Sequence, residues 1–209
     1  MIVISNPIKI NNEIDIIHSL FEQGLSLFHV RKPDYSEKEM KTYLSDIKID
    51  FRSQLVLHNH HHLAAEFRIN RIHFTEKERI AILNPVAKLT RPTKNTFQKM
   101  VKKGLHLSTS VHTIEDFNAL DNAFGYAFLS PVYPSISKEN YSTKTNLLED
   151  TKKRTNYTTQ LIALGGMDSK NTADTLKTGF DDVALLGTIW NSVNPIENFK
   201  LCQNLDLSY

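Results

Sequence analysis

Eight short runs of strand character, each followed by a stretch of helical spacing, constrain this chain more than any other feature of it. The runs are Met1–Ile4, closed by Ser5-Asn6-Pro7, then Leu25–Val30, Leu55–Leu57, Arg71–Phe74, Leu105–Leu107, Tyr126–Leu129, Leu161–Leu164 and Val183–Leu186. Between them, Ile14, Ile17, Leu20 and Phe21 recur on one helical face, and Gly24 stands where a helix C-cap belongs. Ser36 and Glu39 form a capping box ahead of Met40, Tyr43, Leu44 and Ile47. His62–Phe67 reads as a short helix, and Thr113-x-x-Asp116 caps another carrying Phe117 and Leu120. Ala173 and Leu176 share a face that stops at Gly179, and Asn194-Pro195 opens the last helix with an N-cap and a first-turn proline. Pro85 and Pro92 break any long helix between Glu76 and Lys103.

Short buried strands alternating with helices require a parallel sheet covered on both faces. Eight such units predict an α/β fold of one domain, residues 1–209, closed as a (β/α)8 TIM barrel; a doubly wound open sheet is the alternative. The formal charge of +2 excludes the basic surface of a nucleic-acid-binding protein. No apolar run reaches membrane-spanning length and the first residues lack a signal-peptide pattern, so no membrane partner is expected. One cysteine, Cys202, rules out an internal disulfide and suits the cytoplasm; it reads as a half-buried position on the last helix.

Three of the seven glycines end the last two strands, in Gly165-Gly166-Met167 and Gly187-Thr188-Ile189-Trp190. In barrels these loops often hold phosphate, and glycine lets an anionic oxygen approach backbone N–H groups. Leaving the sixth strand, Ser130-Pro131-Val132-Tyr133-Pro134-Ser135-Ile136-Ser137-Lys138 adds hydroxyl donors and a cation at the head of a long loop. The bland alternatives are tight turns after strands and a solvated surface loop.

These segments, with Phe28-His29-Val30-Arg31-Lys32-Pro33, Ser110-Val111-His112, Ala163-Leu164-Gly165-Gly166 and Gly179-Phe180-Asp181-Asp182-Val183-Ala184, resemble the thiamine phosphate synthase and TenI family over nearly the whole chain. The resemblance implies a (β/α)8 barrel that joins hydroxymethylpyrimidine diphosphate to a thiazole phosphate and releases diphosphate with Mg²⁺ assisting. It implies that Gly165, Gly166, Leu186 and Gly187 hold the thiazole phosphate, with Ser135 and Ser137 beside it. It sets Arg31, Ser110 and Lys138 around the departing diphosphate, and His29, Lys32, His58 and Asn59 on the substrate side. Loss of diphosphate leaves a cationic methylene, so the work is stabilisation of leaving-group charge, with no protein nucleophile.

The chain also departs from the family's pattern. His29 stands for a usual glutamine, Pro33 for a lysine, and His58-Asn59 for Asn-Asp. Asn59 is a weaker magnesium ligand than aspartate; Glu78 falls near the family's other metal-binding aspartate. Those changes keep a second activity open, a TenI-like thiazole tautomerase with His112 as acid/base. A binding protein without turnover is a third possibility, and a homodimer is left open. Finally, His29, His58 and His73 end consecutive strands, so three imidazoles on neighbours are candidate zinc or iron ligands, followed at once by His60, His61 and His62.

Overall fold

Parallel pairing runs unbroken around this chain in its computed structural model, which describes residues 1–83, 96–134 and 146–206. The strands are β1 (Ile2–Ile4), β2 (Leu27–Val30), β3 (Leu55–Leu57), β4 (Arg71–Phe74), β5 (His106–Val111), β6 (Phe124–Leu129), β7 (Gln160–Leu164) and β8 (Asp182–Leu185). Each pairs with its sequence neighbour, and Ile2 opposite Ala184 joins the first strand to the last. The sheet is therefore a closed barrel, and the open-sheet alternative falls.

Helices α1 (Glu13–Glu22), α2 (Glu37–Asp46), α3 (Glu76–Leu83), α4 (Thr96–Lys102), α5 (Ile114–Asn118), α6 (Leu147–Asp150), α7 (Thr172–Lys177), α8 (Gly187–Trp190) and α9 (Pro195–Asp206) fill the connections. Their starts are written in the sequence. The Ser36 hydroxyl accepts the Glu39 N–H at 3.3 Å while the Glu39 carboxylate accepts the Ser36 N–H at 2.8 Å. Thr75 and Glu78 repeat that box at the start of α3, at 3.3 and 2.8 Å. Thr113 accepts the Asp116 N–H at 3.1 Å.

Alternate strand positions feed two separate cores. Val3, Phe28, Leu55, Phe74, Leu107, Ala127, Leu161 and Val183 point outward and pack with Ile17, Leu20, Met40, Leu44, Phe117 and Phe199 from the helices. Ile2, Ile4, Tyr126, Phe128, Ile162 and Ala184 form a smaller cluster inside the barrel. The inward register of β2, β4 and β5 carries polar groups: His29 and His73 are fully buried, and Ser108 lies directly opposite His73. One side of the barrel interior is thus hydrocarbon and the other is imidazole and hydroxyl.

Two elements differ from the sequence reading. Strand β5 runs on through Ser108, Thr109 and Ser110, which have no apolar signature; the Thr109 hydroxyl instead donates to the Phe74 carbonyl at 2.8 Å. The expected helix at His62–Phe67 is a single tight turn, His61–Leu63, entered from His60 in the left-handed region at φ 51°. The stretch predicted to be broken by prolines holds α3 and α4, with residues 84–95 between them outside the described residues.

Candidate active site

The loops after β7 and β8 are locked into one surface. Leu164 pairs with Ala184, so Gly165 and Gly166 emerge beside Leu186 and Gly187, and the Thr188 hydroxyl donates to the Met167 carbonyl across the gap. Gly165 and Gly166 have φ of 103° and 63°. A Cβ on Gly166 would stand 2.6 Å from both Pro134 O and Tyr133 Cβ, and one on Gly165 would stand 2.9 Å from Pro131. Glycine is needed here first because the segment leaving β6 lies directly against the β7 loop. That contact is pinned by Val132 N–H to Leu164 O at 3.0 Å and Tyr133 N–H to Gly165 O at 3.1 Å. On the far side, the Asn171 amide donates to Gly166 O at 2.9 Å. Trp190, at the end of α8, donates its indole N–H to Ile4 O at 2.6 Å and ties this corner to β1.

On the same rim, two strands round from β8, stands Arg31, exposed at the end of β2. Its backbone is fixed by Ser5, whose hydroxyl accepts the Arg31 N–H at 2.8 Å and donates to the Arg31 carbonyl at 3.0 Å. Lys32 turns elsewhere. Its side chain has no solvent contact, and its ammonium meets Glu13 at 2.5 Å and the Ile8 carbonyl at 3.0 Å, over the rings of Tyr35 and Tyr43. Burial lowers the Lys32 pKa and raises that of Glu13. As placed, Lys32 braces β2 against the start of α1.

Below Arg31 on β2, starting at His29, sits a ladder of rings. His29 Nδ1 lies 2.8 Å from His58 Nε2, and His29 Nε2 lies 2.6 Å from the Tyr126 hydroxyl. His58 stacks on His73 with centroids 4.2 Å apart. His73 completes the set with Ser108 and Ser110, each 2.9 Å from one of its ring nitrogens. Desolvation pushes all three imidazoles toward the neutral form, His73 down to about 3 and the other two well below their ordinary value. The positive charge of Arg31 adds to this at His58 and His73.

Ser110 therefore faces the interior as a partner of His73. His112, two residues on, is exposed; its Nδ1–H donates to the Ser130 carbonyl at 2.7 Å because a carbonyl can only accept. That leaves Nε2 as the basic nitrogen, 3.9 Å from the Glu76 carboxylate. Asn59 donates its amide to the Lys32 carbonyl at 2.9 Å, and its buried Oδ1 has no hydrogen-bond partner among the described residues. Glu78 spends one carboxylate oxygen on the Thr75 cap. Ser135, Ser137 and Lys138 lie outside the described residues.

Sequence reasoning missed Ser5, Ser108 and Tyr126. Period-two counting back from Ser110 along β5 finds Ser108, whereas Tyr126 lies on β6, opposite Ser108, and needs the strand register to be known. The flanking histidines splay apart: His60 lies 2.8 Å from the Tyr35 carbonyl, His61 lies 3.1 Å from the His73 carbonyl, and His62 lies 3.1 Å from Glu37.

A closed parallel barrel with paired glycine loops at one corner of its C-terminal mouth and a cation on the same rim has the layout of barrels that bind phosphate. Residues 1–189 match the family described as thiamine monophosphate synthase (TMP-TENI), and the chain belongs to that family. The thiamine-phosphate synthase of Clostridium tetani is 25% identical over 171 residues, which cover 79% of this chain and 75% of that protein. A crystal structure of thiamine phosphate pyrophosphorylase from Bacteroides thetaiotaomicron shares 27% identity with a TM-score of 0.74, over 100% of this chain and 98% of that one. The protein of the same name from Pyrococcus furiosus, 14% identical with a TM-score of 0.76 over 99% and 95%, bears on the fold alone.

Proposed function

We propose that this chain is a transferase of thiamine biosynthesis that condenses hydroxymethylpyrimidine diphosphate with thiazole phosphate and releases diphosphate. One observation carries the reading: the β7 and β8 loops, tied by Thr188 to Met167, form a single glycine-lined corner, with the exposed Arg31 on the same rim, in a chain of this family. In that corner the backbone N–H groups of Gly166, Leu186 and Gly187 would grip the thiazole phosphate. Arg31, with Ser110 and Lys138, would take the leaving diphosphate. The C–O bond to diphosphate breaks, the cationic methylene is captured by the thiazole nitrogen, and the new C–N bond completes the product. Charge on the leaving group is the quantity to be stabilised, and Arg31 is held for it by Ser5.

Magnesium, which the family's synthases generally use, finds a poor match in the two residues at its expected place. Asn59 offers a neutral amide oxygen, and one carboxylate oxygen of Glu78 already takes two hydrogen bonds from Thr75. Magnesium sites rest on anionic oxygens supplemented by substrate phosphate. The pair does not make such a site, and no step here is routed through the ion.

Incubating the protein with both phosphorylated heterocycles should yield thiamine phosphate and diphosphate in equal amounts. Lys138→Ala should cost on the order of 10²-fold in turnover, as for loss of one charge-stabilising group. No product at high enzyme concentration would sink the reading. A second reading, proton transfer within a thiazole phosphate tautomer, is favoured by one observation: the Ser130 carbonyl fixes His112 in the tautomer that leaves Nε2, beside Glu76, as the base. Under it, His112→Asn would abolish tautomer conversion while thiazole phosphate still binds. The chain acts on small phosphorylated substrates in either case, and among the described residues no helix is long and apolar enough to cross a membrane.

A further inference from the structure

The geometry points to a transition-metal site inside the barrel, built by His29, His58 and His73, for a borderline divalent ion of which zinc is the type. One ring nitrogen from each residue comes within 4.8 Å of the other two. His29 Nδ1 and His58 Nε2 already face each other at 2.8 Å. Tetrahedral zinc with bonds of about 2.0–2.1 Å separates its ligands by roughly 3.4 Å. A small opening of that pair and a small closing of His73 would suffice.

The surrounding groups also fit metal ligation. Ligating imidazoles normally pass their second nitrogen to an oxygen that fixes the tautomer. With His29 bound through Nδ1, its Nε2–H points at the Tyr126 hydroxyl, 2.6 Å away. Whichever nitrogen of His73 is used, the other keeps a serine, Ser108 or Ser110, at 2.9 Å. Burial keeps the three rings neutral, which is the form that binds metal.

Nitrogen donors select zinc, iron or copper over magnesium, so this set is distinct from the oxygen pair Asn59 and Glu78. Three protein ligands leave a fourth position for water or a substrate atom, the pattern of catalytic rather than structural zinc. The site stands on the described side chains alone and does not depend on the synthase reading.

The test uses the full chain without a histidine tag, stripped with chelator and titrated by calorimetry with Zn²⁺ and, separately, with Mg²⁺. Co²⁺ absorption provides a second readout of tetrahedral nitrogen ligation. The expected result is one Zn²⁺ per chain, no heat from Mg²⁺, and an intense Co²⁺ band. Tyr126→Phe, which keeps the packing, should weaken Zn²⁺ about 10- to 100-fold. His29→Gln should remove the site, and the double variant His60→Asn/His62→Asn should leave it intact. No Zn²⁺ uptake, or uptake that survives His29→Gln and is lost in the surface double variant, overturns the proposal.

Discussion

A buried imidazole that stays neutral when folded ties stability to acidity. In the unfolded chain each of His29, His58 and His73 takes up a proton near pH 6.5, whereas in the fold their pKa values are lowered by burial, to about 3 for His73. The unfolded state therefore binds more protons in this window. The stability contribution is complete above about pH 6.5 and is lost as pH falls toward the folded values, each ring adding about 1.4 kcal/mol per pH unit where the difference is full. Urea midpoints at pH 8, 6 and 5 should fall steeply below 6.5, and His73→Gln should flatten that slope; equal slopes in the two proteins would contradict it. Lys32 gives a second residue-scale outcome. Removing its charge with Lys32→Met strands the Glu13 carboxylate and should cost about 3–5 kcal/mol, most of it recovered in Lys32→Met/Glu13→Leu. Additive losses in the double variant would show that the two side chains do not act as a pair. The resemblance sets Lys32 among substrate ligands because it adjoins Pro33, which stands where the family has a lysine. Its true surroundings depend on Glu13 from a different helix, which strand-by-strand reading does not bring together.

The clearest element-scale dependence is the seating of the β6 exit on the β7 loop. Gly166→Ala would force a Cβ into Pro134 and Tyr133 from a left-handed backbone, costing about 1–2 kcal/mol for the conformation alone and more for the collision. Denaturant unfolding should register at least about 2 kcal/mol, and affinity for thiazole phosphate should drop with it. A variant as stable as the parent would mean that the two loops part easily. The same comparison shows what the sequence discloses about elements. Helix starts were legible because Ser36, Glu39, Thr113 and Asp116 satisfy N–H groups within one turn, a local matter. Strand β5 was cut short because Ser108 and Ser110 look like loop residues until their partner His73, on another strand, is known. The glycine corner was legible as a place, but the reason for its glycines was not, since the atoms they avoid belong to a different loop.

At the scale of the whole molecule, the count of eight alternating units was enough to anticipate closure, because each unit must bury a strand between neighbours and none is left to form an edge. What the count does not reveal is how unevenly the interior is filled, with Ile2, Ile4, Phe128 and Ile162 on one side and the imidazole ladder on the other. The seam between β1 and β8 carries a further cost in time. Ile4 accepts the Trp190 indole N–H from 186 residues away, and Ile2 waits for Ala184 as its neighbour. At about 5–20 residues per second, a ribosome needs roughly 10–40 s to make the second half of that handshake. Through that interval the nascent sheet has two open edges, so a chaperone or a neighbouring nascent chain meets an unfinished cylinder long before any substrate meets the finished one.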